Sequence, residues 1–127
     1  MVRSGFVTQS QLHLNANWRY EEYGPRRHYV IEAWLGGQRS GRAHGWFEEG
    51  RQFVLEKIEM DRSQRSRGYG TAMIEELRAK AREKRCGEFV IQGVRAANRG
   101  AIRLYESIGA KPIQTDSDIY AYVISPP

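Results

Sequence analysis

Arg65-Ser66-Arg67-Gly68-Tyr69-Gly70-Thr71-Ala72-Met73-Ile74-Glu75-Glu76-Leu77 is the stretch on which the reading of this chain turns. An apolar-rich segment, Phe53 to Met60, runs into it, and a helix-patterned segment runs out of it. Two glycines at a strand-to-helix turn let the backbone approach a ligand closely and use conformations closed to other residues. The first turn of the helix then offers unpaired N–H groups and the positive end of its dipole, a ready site for an anion. Arg62, Arg65 and Arg67 sit in the approach, with no acid between Arg62 and Gly70. A short glycine motif is weak by itself, because the same residues also make a tight turn with a solvated basic rim.

Downstream, Met73, Leu77 and Ala81 recur every four residues, with Ile74 widening the stripe, which predicts a helix over Gly70 to Arg85. Gly87 is expected to end it as a left-handed cap. Phe89-Val90-Ile91 reads as a short buried strand, parallel to the strand before the turn. Asn98 is a good N-cap and Gly109 a good stop for a second helix, with Ala101, Ile102, Tyr105 and Ile108 along one face. Ile113 falls in a sixth strand, Asp116-Ser117-Asp118 in a turn, and Ile119 to Ile124 in a seventh strand.

Upstream, strict alternation of Leu12, Leu14, Ala16, Trp18 and Tyr20 with polar residues predicts a half-buried strand over Gln11 to Tyr20. Glu21-Glu22-Tyr23-Gly24-Pro25 breaks it. His28 to Leu35, the Gly36-Gly37 turn, Arg39 to Phe47 and Arg51 to Met60 complete a four-stranded antiparallel meander. The order β-β-β-β-α-β-α-β-β defines an α+β fold: a mixed, largely antiparallel sheet of about seven strands with two main helices.

At 127 residues the chain is expected to form one domain, 1–127, with a core that needs no staples. Its single cysteine, Cys86, permits no intrachain disulfide, and packing is its expected role. No apolar run approaches the length of a membrane span, and Met1 to Phe6 lacks the apolar core of a signal peptide, so a cytoplasmic location is expected. Residues 1–50 hold six Lys and Arg against five acids, and residues 51–127 hold fourteen against ten. The positive excess therefore lies in the half that carries the glycine turn, as suits an anionic ligand. A net charge of +5 does not by itself imply nucleic acid.

The turn is followed by Asn98-Arg99-Gly100-Ala101-Ile102-Arg103-Leu104-Tyr105-Glu106-Ser107-Ile108-Gly109-Ala110. In this order and spacing the two segments resemble the signatures of the GNAT acetyltransferase superfamily: its pyrophosphate-binding loop and its "Asn…Ala…LeuTyr…Gly" helix. The resemblance runs from about Arg51 to Ile124. It implies that the fourth and fifth strands are parallel and splayed, and that acetyl-CoA is the cosubstrate of an N-acetyltransferase. One departure stands out. Family members usually place two helices between the first two strands, where they wall one side of the acceptor groove, whereas here at most Glu21 to Arg27 are available.

The resemblance also assigns roles. The pantetheine arm would pair with the backbone of the fourth strand at Ile58 and Met60, where an N–H would face the thioester carbonyl. The amides of Arg67, Gly68, Tyr69, Gly70 and Thr71 would hold the pyrophosphate, with Arg62, Arg65 and Arg67 supplying charge. Asn98 resembles the asparagine that contacts the arm, though a plain N-cap explains it as well. Arg99 is a candidate phosphate contact or a solvated helix residue. Tyr105 matches the tyrosine that protonates the departing thiolate, the alternative being a core tyrosine with a satisfied hydroxyl. Family members often carry a glutamate near the position of Glu56, which makes it the better candidate base with Glu59 the other, though a strand carboxylate paired with Lys57 or an arginine is the alternative. Alternation sends the two to opposite faces, Glu56 with Ile58 and Met60, Glu59 with Lys57 and Leu55. A direct transfer to an amine follows. With the groove open on one side, the acceptor is expected to be a protein or another macromolecule such as an aminoacyl-tRNA, or the groove is closed by the second subunit of a homodimer. The rival readings are a non-catalytic acyl-CoA-binding module and a basic nucleic-acid-binding domain. The latter lacks the aromatic-basic stacking strand of RNA-binding sheets.

Overall fold

The computed structural model describes residues 15–61 and 68–127. Seven strands and two helices follow in the expected order: β1 (Asn15–Tyr23), β2 (Arg26–Leu35), β3 (Gln38–Glu48), β4 (Gln52–Met60), α1 (Tyr69–Glu83), β5 (Glu88–Arg95), α2 (Arg99–Ser107), β6 (Lys111–Asp116) and β7 (Ile119–Ile124). They form one sheet in the order β1-β2-β3-β4-β5-β7-β6, in which only β4 and β5 are parallel neighbours.

The turn chemistry explains the meander. Gly36 and Gly37, with φ of 56° and 81°, form a two-residue loop whose left-handed conformations match the twist of the flanking strands. The first connection is tighter than expected: β1 continues to Tyr23, Gly24-Pro25 alone turns the chain, and Tyr23 pairs with Arg26. No helix therefore lies between β1 and β2. The part of the expected first strand before Asn15 lies outside the described residues, as do Arg62, Arg65 and Arg67.

Both helices pack on the same face of the sheet. The crossovers β4-α1-β5 and β5-α2-β6 run in the same direction across it, and right-handed connections then put α1 and α2 on one side. The core lies there. Met73, Ile74, Leu77 and Ala81 of α1 and Tyr105 of α2 bury against Ile31, Phe53, Leu55, Phe89, Ile91 and Tyr122. The opposite face carries a smaller apolar cluster of Trp46, Val54, Val90 and Ala121, with the Arg26 guanidinium 3.7 Å above the Trp46 ring centroid. No helix among the described residues covers it, and none is long and apolar enough to cross a membrane.

Two local expectations are corrected. Helix α1 ends through Arg85, not Gly87: Arg85 takes the left-handed conformation, with φ of 60°, and the Cys86 N–H closes back on the Ala81 carbonyl. The alternation of β4 is broken by a β-bulge, since Leu55 pairs with Gly45 and Lys57 with the adjacent His44. Glu56 is the extra residue, and the facing pattern reverses across it. Leu55 thus packs on the same core face as Ile58 and Met60, rather than sharing one with Lys57 and Glu59.

Candidate functional site

The site begins where β4 and β5 part. Their parallel pairing runs from Gln52↔Glu88 to Leu55↔Ile91 and stops. Beyond it each strand is irregular: β4 bulges at Glu56, and β5 shifts register between Ile91 and Val94, where Gly93 has a φ of 68°. The two irregularities sit side by side and turn the strands apart, so the backbone of β4 at Glu56 to Ile58 no longer pairs with β5. A cavity of about 160 Å³ opens there, lined by Glu56, Lys57 and Ile58 on one side, Gln92 and Gly93 on the other, and Asn98, Ala101 and Tyr105 of the second helical segment. The slot is narrow and flanked by main chain, a shape suited to an extended arm that can pair as a strand does.

Glycine and tyrosine hold the bulge in place. A Cβ on Gly45 would lie 2.0 Å from the Val54 carbonyl oxygen and 2.8 Å from the Tyr29 hydroxyl oxygen. The fully buried Tyr29 donates a 2.8 Å hydrogen bond to that same carbonyl. Burial pushes the Tyr29 phenol well above its ordinary value, and the nearby Glu56 charge adds to the effect.

The expected bases separate. Glu56 lines the cavity, with His44 Nδ1 3.8 Å from its carboxylate and its side chain 39% exposed. Glu59 does not reach it; it lies in a separate surface recess with Arg39, Arg42, Met60 and Asp61, 3.9 Å from Lys57 Nζ. Ile58 lines the cavity, while the Met60 side chain lies against Gly41, where an added Cβ would come 2.5 Å from its sulfur.

Tyr105 enters from α2. Its side chain is buried and packs beside Tyr122, ring centroids 5.9 Å apart, with the residue in the cavity lining. Burial raises its phenol above the ordinary value, so at neutral pH it carries its proton and can donate it. Asn98 is the N-cap of α2, its Oδ1 accepting from the Ala101 N–H at 3.3 Å, and it also lines the cavity. Arg99 is exposed on the helix and outside the lining.

At the end of the approach Gly68 is the N-cap of α1, with φ of 81°, a conformation that favours glycine. No side chain caps this helix and its first turn holds no acid. The Ala72 N–H bonds back to the Gly68 carbonyl, so the amides of Tyr69, Gly70 and Thr71 precede the first intrahelical bond and form the positive end of the helix. Gly70 needs no unusual backbone angle, and open space surrounds the point where its Cβ would be. The Tyr69 side chain is buried in the core and Thr71 is exposed.

Gln92, Gly93 and Lys57 line the cavity without having been singled out in the sequence; an isolated glycine within a strand pattern was the available signal for a bulge at Gly93. Cys86 plays no part in the site. It is buried at the other end of β4, its thiol donating to the Glu48 carbonyl at 3.6 Å, and burial raises it away from the reactive thiolate.

A sequence model of the acetyltransferase (GNAT) family matches residues 4–110. The chain belongs to the GNAT acetyltransferase family. No curated protein sequence matches it. Solved structures of GNAT proteins share the fold over much of their length. One is a GNAT family acetyltransferase from Elizabethkingia anophelis with acetyl-CoA bound, 14% identical, covering 87% of this chain and 98% of that one, with a TM-score of 0.67. A nourseothricin acetyltransferase is 17% identical, with 99% and 96% of the two chains covered and a TM-score of 0.67. Arabidopsis thaliana Naa50 in complex with the bisubstrate analogue CoA-Ac-MVNAL is 17% identical, with 76% and 72% covered and a TM-score of 0.67. At these identities the likeness is one of fold.

Proposed function

We propose that this GNAT family member moves an acetyl group from acetyl-CoA directly to an amine of a protein. The observation that carries the reading is the cavity at the β4–β5 splay. It brings a carboxylate, a protonated phenol and the β4 backbone beyond its pairing with β5 to one place, and α1, with no acid in its first turn, follows β4 in the chain. The pyrophosphate sits on the amides of Gly68 to Thr71, and the pantetheine arm pairs with β4 near Ile58, with Asn98 across from it. Two solved structures that share the fold, one with acetyl-CoA bound and one in complex with a CoA bisubstrate analogue, support acetyl-CoA as the cosubstrate.

The chemistry then needs two proton movements. Glu56 accepts a proton from the incoming ammonium, leaving a nucleophilic amine. Its nitrogen attacks the thioester carbon while a β4 N–H stabilises the developing oxyanion. The C–S bond breaks as Tyr105 relays a proton: the departing thiolate takes the phenol's proton, and the second proton of the attacking nitrogen restores the phenol and leaves a neutral amide. Glu56 is favoured over Glu59 because it alone faces the cavity. No cysteine is near enough to carry the acetyl group, which supports transfer in one step.

The acceptor is read from the open side of the groove. With Gly24-Pro25 as the whole β1–β2 connection, no helical pair stands between these strands to restrict approach to the cavity. Incubating the chain with acetyl-CoA and a panel of peptides and free small amines tests this. The reading expects acetylated peptide, detected by mass, with small amines poor substrates. Efficient turnover of a free small amine alone contradicts the acceptor assignment. Coenzyme binding without transfer to any acceptor favours a non-catalytic acyl-CoA module.

A further inference from the structure

We propose that the outer edge of β1 pairs with β1 of a second copy of this chain, antiparallel and in one register, to join two sheets across a two-fold axis. The two edges of the sheet differ. At one end, β6 has six residues, carries Pro112, and shifts register between Gln114 and Asp116, features that blunt an edge. At the other end, β1 pairs with β2 through nine consecutive positions with no shift, and it contains no proline and no glycine. Among the described strands it has a neighbour on one side only, so its outer row of N–H and C=O groups is a template for another strand. Of the three exposed large hydrophobic side chains among the described residues, two are on this strand: Tyr20 at 42% and Tyr23 at 59%.

The side chains select the occupant and the register. Antiparallel pairing of β1 with itself puts the two-fold axis at one residue, which then faces its own copy. An axis at Arg19 sets Arg19 against Arg19, and an axis at Glu21 sets Glu21 against Glu21; like charges directly opposite destabilise. An axis at Trp18 places asparagines opposite both charges. An axis at Tyr20 instead sets Arg19 opposite Glu21 twice and stacks Tyr20 on its copy. It also brings Glu22 of the second copy opposite Trp18, beside Lys80, whose ammonium lies 5.1 Å from the Trp18 ring centroid. Arg19 pairs with the part-buried Glu32 at 3.5 Å, and Glu21 makes an exposed contact, accepting from the Tyr23 hydroxyl at 2.8 Å. Exposed contacts of this kind exchange at little cost.

Sedimentation of the wild-type chain over a concentration series, together with Arg19→Glu, Glu21→Arg and the double variant, tests the proposal. Each single reversal turns two attractive pairs into two repulsive ones and is expected to weaken the dimer by about tenfold. The double variant swaps the charges and restores wild-type association. Arg19 and Glu21 are both exposed, so circular dichroism is expected to show all four chains folded. A wild-type chain that is monomeric at every concentration overturns the proposal. So does a dimer that the single reversals leave unchanged, or a double variant no stronger than the single ones.

Discussion

The Tyr29 hydroxyl and the Val54 carbonyl, 2.8 Å apart and fully buried, brace the main chain where β4 is about to bulge and leave β5. Gly45 makes the contact possible by leaving the space empty. Tyr29→Phe keeps the ring and strips the carbonyl of this donor, so it is expected to destabilise the fold by about 1–3 kcal/mol. Gly45→Ala, which drives a methyl into the same oxygen, is expected to cost more. Denaturant midpoints of the three chains check both. A Gly45→Ala variant as stable as wild type would show that the bulge does not depend on this packing.

In the proposed mechanism Glu56, which lines the cavity, is the base. Glu56→Gln is expected to lower turnover by roughly 10²–10⁴, while Glu59→Gln, altering a carboxylate in a separate recess beside Lys57, leaves it near wild type. Steady-state rates with a saturating acceptor decide the matter. The reverse pattern would place the chemistry on the wrong side of the strand.

Much of this was legible in the chain itself. The turns at Gly36-Gly37 and the four-residue spacing of Met73, Leu77 and Ala81 fixed strand order and helix placement, because local backbone preference and burial agree there. The facing of β4 was not. Alternation holds only while each residue opposes one partner, and the extra residue at Glu56 reverses it. Gly45, a glycine inside a strand, marks the place, but its meaning depends on Tyr29, which lies sixteen residues away and meets it only across the sheet. The helix end at Arg85 is hidden for a related reason: a non-glycine residue takes the left-handed position, and Gly87 two residues later looks like the better candidate.

Tyr105 is expected to act through its hydroxyl. Tyr105→Phe preserves the ring packing against Tyr122 and removes the proton donor. Turnover is expected to fall with coenzyme affinity nearly unchanged, provided the chemical step limits the rate. Wild-type turnover under that condition would reduce Tyr105 to a packing residue.

The buried phenols also predict an alkaline limit. Tyr29 and Tyr105 are both raised above the ordinary value of 10.0, so the folded chain holds their protons more tightly than the unfolded chain does. Their contribution is complete below that value and is lost as pH rises through the raised values, because the unfolded chain ionises first. Unfolding free energy is therefore expected to fall above about pH 10, with a shallower fall in Tyr29→Phe. Tyrosinate absorbance is expected to show these two phenols ionising only with unfolding. A stability that stays flat across this range would contradict their burial.

Calorimetry of acetyl-CoA binding to the wild-type chain and to Gly70→Asp tests the central claim, that the amide end of α1 holds the coenzyme's phosphates beside the β4–β5 cavity. The added side chain meets open space in the protein, and an acid in the first turn suits the helix dipole, so the variant folds. It also sets a negative charge where the pyrophosphate would lie. The account predicts that the wild-type chain binds and that the variant loses about tenfold or more in affinity. Equal affinity in a folded Gly70→Asp chain, or no binding by the wild-type chain, would contradict it.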